Sequence, residues 1–379
     1  MKIRNYSSVK VFLFIIMVFA LQSCSLLSMM GDEEYEKVSD TLDLKLKNNR
    51  LTFPVKLNDI ETSLLFDTGS AVPFLFDDKV LNNKIPEKIS KFGSVNNFGN
   101  KLDFYRTPLS FENDLFKSDN TVFVVISDFN DLDKCLELQF TGGFYGKYFL
   151  DKILNINFEQ QKLFILDSLK KTTYTEIESK FFDLAQVRIK LTINGKSEWF
   201  HFDTGNIMHP IILKSKSEII NDKVEDFIVK SNKFSLKEKE NQTFYYEDFK
   251  IDFGDEQISS YVISNSGIKD YKYNNVGIQF IKRYNWILDY KNKKVYYKKY
   301  ENSEFNVIKA PKNNLYYCTL EEGKLVVTGS LLEDGEPIYK LGNEIVSVDG
   351  TPITSQNVCF YLDLLLKTDW NTLNIETKP

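Results

Sequence analysis

Apolar and polar positions alternate with a period of two near the start of the chain. Residues 51–57, Leu-Thr-Phe-Pro-Val-Lys-Leu, predict a half-buried strand. Asn58-Asp59 supplies a turn, and residues 62–66 return as the second strand of a hairpin that ends at Asp67. Gly69 permits a tight turn there, and Pro73-Phe74-Leu75-Phe76 continues as a further apolar strand. Residues 94–100 read as a polar, glycine-bearing loop between strands, and residues 121–126 as a buried strand. Gly142-Gly143-Phe144-Tyr145-Gly146 follows. Residues 153–158 and 162–166 flank Glu159-Gln160-Gln161, a hairpin signal.

The second third repeats the first. Residues 187–193 alternate as 51–57 do, and Asn194-Gly195 stands in for Asn58-Asp59. Each of these asparagines lies nine residues before an aspartate, Asp67 or Asp203. Each aspartate follows a phenylalanine and precedes Thr-Gly: Asp67-Thr68-Gly69-Ser70 and Asp203-Thr204-Gly205-Asn206. Pro210-Ile211-Ile212-Leu213 answers Pro73-Phe74-Leu75, and residues 276–281 answer 145–150. Residues 285–290 and 294–297 answer the closing hairpin. One Asp-Thr-Gly is common by chance, whereas two in matched flanks are specific.

From about residue 306 the pattern changes. Residues 325–330 predict a strand and loop, and residues 338–348 lead into Asp349-Gly350, a tight hairpin turn. Val358, Leu362, Leu365 and Leu366 share one face of a helix starting near Ser355, and residues 372–375 form a last strand.

Composition narrows the function classes. The 379 residues are 42% apolar, enough for two or three domains. Net charge is −5, with 48 basic and 53 acidic residues intermixed, which argues against a nucleic-acid partner. Two histidines and no Cys-x-x-Cys pair leave no tetrahedral zinc set, so no metal and no cofactor is expected. His201 reads as a strand side chain opposite the buried face. Lys2, Arg4 and Lys10 precede an apolar run at 11–21, too short to span a bilayer comfortably and shaped like a signal-peptide core. If Cys24 is modified, three cysteines remain: Cys318 and Cys359 either bridge or stay buried thiols, and Cys135 is left over.

The duplicated pattern over residues 42–300 resembles the aspartic proteases of the pepsin and retropepsin type. The resemblance implies an all-β, bilobal fold of duplicated β-barrel lobes, with Asp67 and Asp203 as the catalytic pair. Thr68, Gly69, Ser70, Thr204, Gly205 and Asn206 would support the two catalytic turns. An apolar-apolar-Gly segment packs behind each turn in that family. Phe144-Tyr145-Gly146 fits it, whereas Asn275-Val276-Gly277 departs at its first place. Asn206 also departs, from the usual Ser or Thr. Ser70 is expected to donate to the outer oxygen of Asp67, and Asn206 to Asp203. Phe98-Gly99 is the candidate flap.

The chemistry stands beside the resemblance. Peptide hydrolysis needs a deprotonated water and a proton for the departing amine. Two adjacent carboxyls cannot both ionise cheaply, so they share one proton and serve as base and acid, as in this protease family.

Two further resemblances complete the reading. Gly342-Asn343-Glu344-Ile345-Val346-Ser347-Val348-Asp349-Gly350 is similar to the signature of bacterial protease-associated PDZ domains, which implies a small α+β unit that takes a peptide onto a sheet edge. Its carboxylate-binding loop would lie around Asn314-Leu315-Tyr316-Tyr317. Leu21-Gln22-Ser23-Cys24 resembles the bacterial lipobox, which implies lipidation at Cys24 and a place in the bacterial cell envelope, lipid-anchored to the outer membrane or periplasmic face; a plain signal peptide or signal anchor with a chance cysteine is the alternative. The expected organisation is signal peptide 1–23, tether 24–41, protease lobes 42–175 and 176–302, and PDZ-like unit 303–379. The expected function is aspartic endopeptidase acting on polypeptide, as a monomer, since one chain carries both aspartates. A catalytically inactive peptide-binding or scaffold lipoprotein on the same fold is the alternative.

Overall fold

A computed structural model describes residues 35–70, 72–76, 90–97, 100–126, 135, 141–169, 173–182, 185–214, 216–221, 223–234, 237–265, 273–300, 307–310 and 315–379. The signal segment, Cys24, most of the tether, the flap tip Phe98-Gly99 and Asn314 lie outside them. The described chain is mostly β, in three sheets.

The first half opens with a hairpin of β1 (Arg50–Leu57) and β2 (Ile60–Phe66). Its two turn residues, Asn58 and Asp59, take φ of 43° and 67°, the left-handed pair whose twist suits a two-residue hairpin. Strand β3 (Phe74–Phe76) follows, then a second hairpin of β4 (Ser90–Asn97) and β5 (Asn100–Glu112). Residues 94–97 and 100 are therefore strand, not the expected loop, because the polar run is one arm of this hairpin. Strand β6 (Phe116–Ile126) pairs antiparallel with β5 and parallel with β3. Strand β7 (Gly142–Phe144) then lies parallel to β2 and antiparallel to β3. A closing hairpin of β8 (Ile153–Asn157) and β9 (Lys162–Leu166) ends this half.

The second half repeats these pairings in the same order. Strands β10 (Val187–Ile193) and β11 (Lys196–Asp203) form the opening hairpin around Asn194-Gly195, at φ 48° and 76°. Strand β12 (Ile211–Leu213) is followed by the hairpin of β13 (Phe227–Phe234) and β14 (Lys237–Phe253). Strand β15 (Glu256–Asn265) is antiparallel to β14 and parallel to β12. Strand β16 (Asn274–Gly277) is parallel to β11 and antiparallel to β12. A short helix α1 (Ile278–Ile281) leads to the closing hairpin of β17 (Tyr284–Asp289) and β18 (Lys294–Lys299).

The two closing hairpins join the halves. Strand β8 runs antiparallel to β17, with Ile153 opposite Asp289 and Ile156 opposite Trp286, at the centre of a six-stranded sheet. Each half packs aromatic residues inside. Phe111 stacks on Phe144 at 4.7 Å, and Phe202 meets Trp286 edge-on at 4.9 Å. Burying such a ring stabilises by roughly 1.5–3 kcal/mol.

The C-terminal part begins with β19 (Tyr317–Glu321), antiparallel to β20 (Lys324–Glu333). Strand β21 (Glu344–Val348) ends at Asp349-Gly350, at φ 50° and 74°. Helix α2 (Val358–Lys367) and strand β22 (Ile375–Lys378) complete it. The helix starts later than Ser355 because Thr354–Asn357 is a turn in which Asn357 Oδ1 accepts the Thr354 amide at 2.7 Å. The last strand is likewise later than expected and pairs with β21, since Trp370–Thr372 is a 3-10 turn.

This part is tied to both halves. Strand β20 continues the second half's sheet, with Val229 opposite Leu331 and Ser231 opposite Gly329. Cys359, on α2, forms a disulfide with Cys135 of the first half. Cys318 is a buried thiol, pushed up to about 12 by burial. Of the two alternatives for Cys318 and Cys359, a bridge between them is therefore excluded, and only Cys318 remains a buried thiol. Among the described residues no helix is long and apolar enough to cross a membrane.

Candidate active site

Each aspartate is delivered by a buried strand. Leu64, Leu65 and Phe66 are buried ahead of Asp67, and Phe200 and Phe202 ahead of Asp203. An apolar strand end anchors the backbone, and the turn then lifts the carboxyl out of the sheet. The turns face each other across the boundary between the halves, and the two carboxyls lie within hydrogen-bonding reach of one another.

Reciprocal bonds between the threonines hold this approach. Thr204 Oγ1 accepts the Thr68 amide at 3.0 Å, and Thr68 Oγ1 accepts the Thr204 amide at 3.0 Å. Thr68 Oγ1 donates to Phe202 O at 2.8 Å, and Thr204 Oγ1 donates to Phe66 O at 2.5 Å. Both side chains are buried, so these bonds face no competition from water.

The glycines are required by the same approach. A Cβ on Gly69 would stand 2.7 Å from Asp203 Oδ2, and one on Gly205 would stand 2.6 Å from Asp67 Oδ2. Only a residue without a side chain lets the opposite carboxyl sit there. The turn amides hold the inner oxygens. Gly69 and Ser70 donate to Asp67 Oδ1 at 3.0 and 3.2 Å, and Gly205 and Asn206 donate to Asp203 Oδ1 at 2.9 and 3.1 Å.

The Asp67 carboxyl is held well above the usual carboxylate range. Burial is the main cause and the adjacent Asp203 the next, opposed by the Gly69 amide. Two carboxyls this close cannot both ionise cheaply, so one proton can serve both.

Two expected contacts are corrected. Ser70 Oγ donates to Val72 O at 2.6 Å, inside its own turn, and not to Asp67. The Asn206 side-chain Nδ2 donates to Asn275 Oδ1 at 2.8 Å, and it is Asn275 Nδ2 that donates to Asp203 Oδ2, at 2.6 Å. Asn275, which looked like a flaw in the apolar segment behind the turn, thus touches the candidate catalytic carboxyl. Two adjacent amides in a strand buried throughout its length are the signal for it, because buried amides need partners.

Other residues close the site. Gln186 Nε2 donates to Gly69 O at 3.3 Å. His201 lies opposite the Phe200/Phe202 face, as its place in the strand predicts. Asp203 shares the His201 side of the strand, and His201 Nε2 is buried without a hydrogen-bond partner among the described residues. Burial lowers the His201 pKa, Asp203 opposes this and Arg188, across the strand pair, adds to it. No group of three or more His, Cys, Asp or Glu positioned to hold a metal occurs among the described residues.

No family model matches the chain, and no curated protein matches it by sequence.

Proposed function

We propose that the chain is an aspartic endopeptidase in which Asp67 and Asp203 activate a water for attack on a peptide carbonyl. The observation that carries this reading is the juxtaposition of the two Asp-Thr-Gly turns, locked by the Thr68–Thr204 bonds, with the two carboxyls close enough to share a proton. Two adjacent carboxyls with one proton supply a base and an acid in one place. The repeated order of strand pairings and the six-stranded sheet between the halves support a bilobal, pepsin-like architecture with one complete site per chain, so a monomer suffices. The hairpin of β4 and β5 is the candidate flap over the substrate.

On the same reading the C-terminal part is a PDZ-like unit. Support comes from its signature: Gly342 is left-handed at φ 87°, Ile345 and Val348 are buried, and Asp349 Oδ1 accepts the Asn374 amide at 2.8 Å. Strand β19 pairs only with β20 among the described strands and lies against α2, the sheet-and-helix arrangement that takes an extended peptide in such units. Leu315 and Tyr316, in the region first assigned to carboxylate binding, are buried, with Tyr316 stacked on Trp370 at 5.4 Å. The lipid anchor at Cys24 and the envelope location belong to the same proposal, and a disulfide between Cys135 and Cys359 fits an oxidising compartment.

A statine-type inhibitor, whose hydroxyl mimics the attacking water, tests the dyad. Calorimetry should register binding to the wild type and loss of at least about 100-fold in affinity in Asp203→Asn. Equal affinity for both proteins would refute the reading.

A further inference from the structure

The two aspartates are alike in sequence and unlike in surroundings. Among the described residues, Asp67 is bonded by the amides of Gly69 and Ser70, through Oδ1 only, and by Asp203. Asp203 has the corresponding pair of amides on Oδ1 and a third donor, Asn275 Nδ2, on Oδ2.

The direction of that third bond is fixed from outside. The His209 backbone amide can only donate, and it donates to Asn206 Oδ1 at 3.3 Å. This turns Asn206 Nδ2 towards Asn275, whose Oδ1 accepts it at 2.8 Å. Asn275 therefore presents its NH2 to Asp203, at 2.6 Å. An NH2 favours a charged carboxylate over a neutral carboxyl. Gly277 makes room for the relay, since a Cβ there would stand 2.6 Å from Asn206 Nδ2. Among the described residues, the other charged or titratable groups facing Asp203 are Asp67 from the opposite turn and His201 on its own strand. Arg188 of β10 lies beyond His201, with its guanidinium 3.3 Å from the centre of the Tyr273 ring.

Resting on the protease reading, we infer that Asn275, locked by Asn206, is a positioning residue that keeps Asp203 ionised and leaves the shared proton on Asp67. Asp203 is then the base and Asp67 the acid. Asp203 takes a proton from water as the water oxygen bonds to the scissile carbon. The carbonyl π pair moves to its oxygen, which takes the Asp67 proton and gives a diol. On collapse the C–N bond breaks and the amine takes the proton held by Asp203. One diol hydroxyl returns its proton to Asp67, which restores the starting state.

The test is Asn275→Leu, which removes the donor and fills its place with an apolar side chain of similar size, with Asn206→Ala as a milder variant that unlocks the amide. The acid limb of the kcat/KM–pH profile should rise by about one pH unit in Asn275→Leu, a charge-assisted hydrogen bond converted at one unit per tenfold. Asn206→Ala should shift it in the same direction by less. Thermal stability is read in parallel and needs no activity. The deficit of Asn275→Leu relative to wild type should grow as pH rises, because the lost bond serves the charged form. A deficit equal at all pH values with an unmoved acid limb would show a merely structural amide and overturn the inference. If the wild type cleaves nothing, the protease reading fails, and the pH dependence of the deficit still decides the role of the relay.

Discussion

Replacing Thr204 by Val should loosen the junction on which the site depends. The hydroxyl accepts the buried Thr68 amide and donates to Phe66 O, so its loss leaves one donor and one acceptor unpaired in a dry place. Each unpaired buried group costs about 1–3 kcal/mol, and the methyl that replaces the hydroxyl returns up to about 0.8 kcal/mol. The net loss is about 1–5 kcal/mol, with a midpoint near 3. Thr204→Ser keeps both bonds and loses one methyl, about 1 kcal/mol. Thr68→Val breaks the mirror-image pair of bonds and should cost as much as Thr204→Val. The two hydroxyls also touch at 3.3 Å, so the double variant should lose less than the sum of the singles. Denaturant unfolding measures these differences, with activity followed alongside. If Thr204→Val unfolds within about 0.5 kcal/mol of Thr204→Ser, the threonines do not hold the halves together.

Asp67 keeps its proton in the folded protein above the pH at which an unfolded carboxyl loses it. A group raised in this way adds stability in acid and loses it as pH climbs through the raised value, by about 1.4 kcal/mol per pH unit. Asp67→Asn should therefore flatten the fall of Tm with rising pH and be more stable than wild type above neutrality; an unchanged slope would contradict the cause assigned here. The Cys135–Cys359 bond closes a separation of 224 residues, for which chain entropy gives up to about 5 kcal/mol. Cys359→Ser should lower the denaturation midpoint without reductant and match wild type with it, while Cys318 stays unreactive to thiol reagents until the protein unfolds.

What the sequence made legible was local chemistry repeated twice. Asn58-Asp59, Asn194-Gly195 and Asp349-Gly350 announced hairpins because their backbones tolerate the left-handed angles that such turns need. The strict alternation of residues 187–193 matches the burial of β10 position by position. The Asp-Thr-Gly turns could be placed because the preceding apolar strand and the glycine are local requirements.

What could not be read depended on partners distant in the chain. Asn275 and Asp203 are 72 residues apart, and the adjacent amides Asn274-Asn275 announce that a partner is needed without naming Asp203. Ser70 could be matched to an acceptor only by side-chain type, and its hydroxyl goes to the local backbone carbonyl of Val72. Cys135 sits in a stretch with no pattern of its own, so its bond to α2 follows only from how the C-terminal part docks. That docking, through Val229 opposite Leu331, pairs strands about 100 residues apart in the chain.

The central claim is that Asp67 and Asp203 work as one acid–base unit on a peptide bond. Its most direct test is kcat/KM on an unstructured polypeptide for the wild type, Asp67→Asn, Asp203→Asn and the double variant. The account predicts cleavage by the wild type, a loss of about 1,000-fold or more in each single variant, and little further loss in the double. Cleavage retained in either single variant, or losses that multiply in the double, would contradict it.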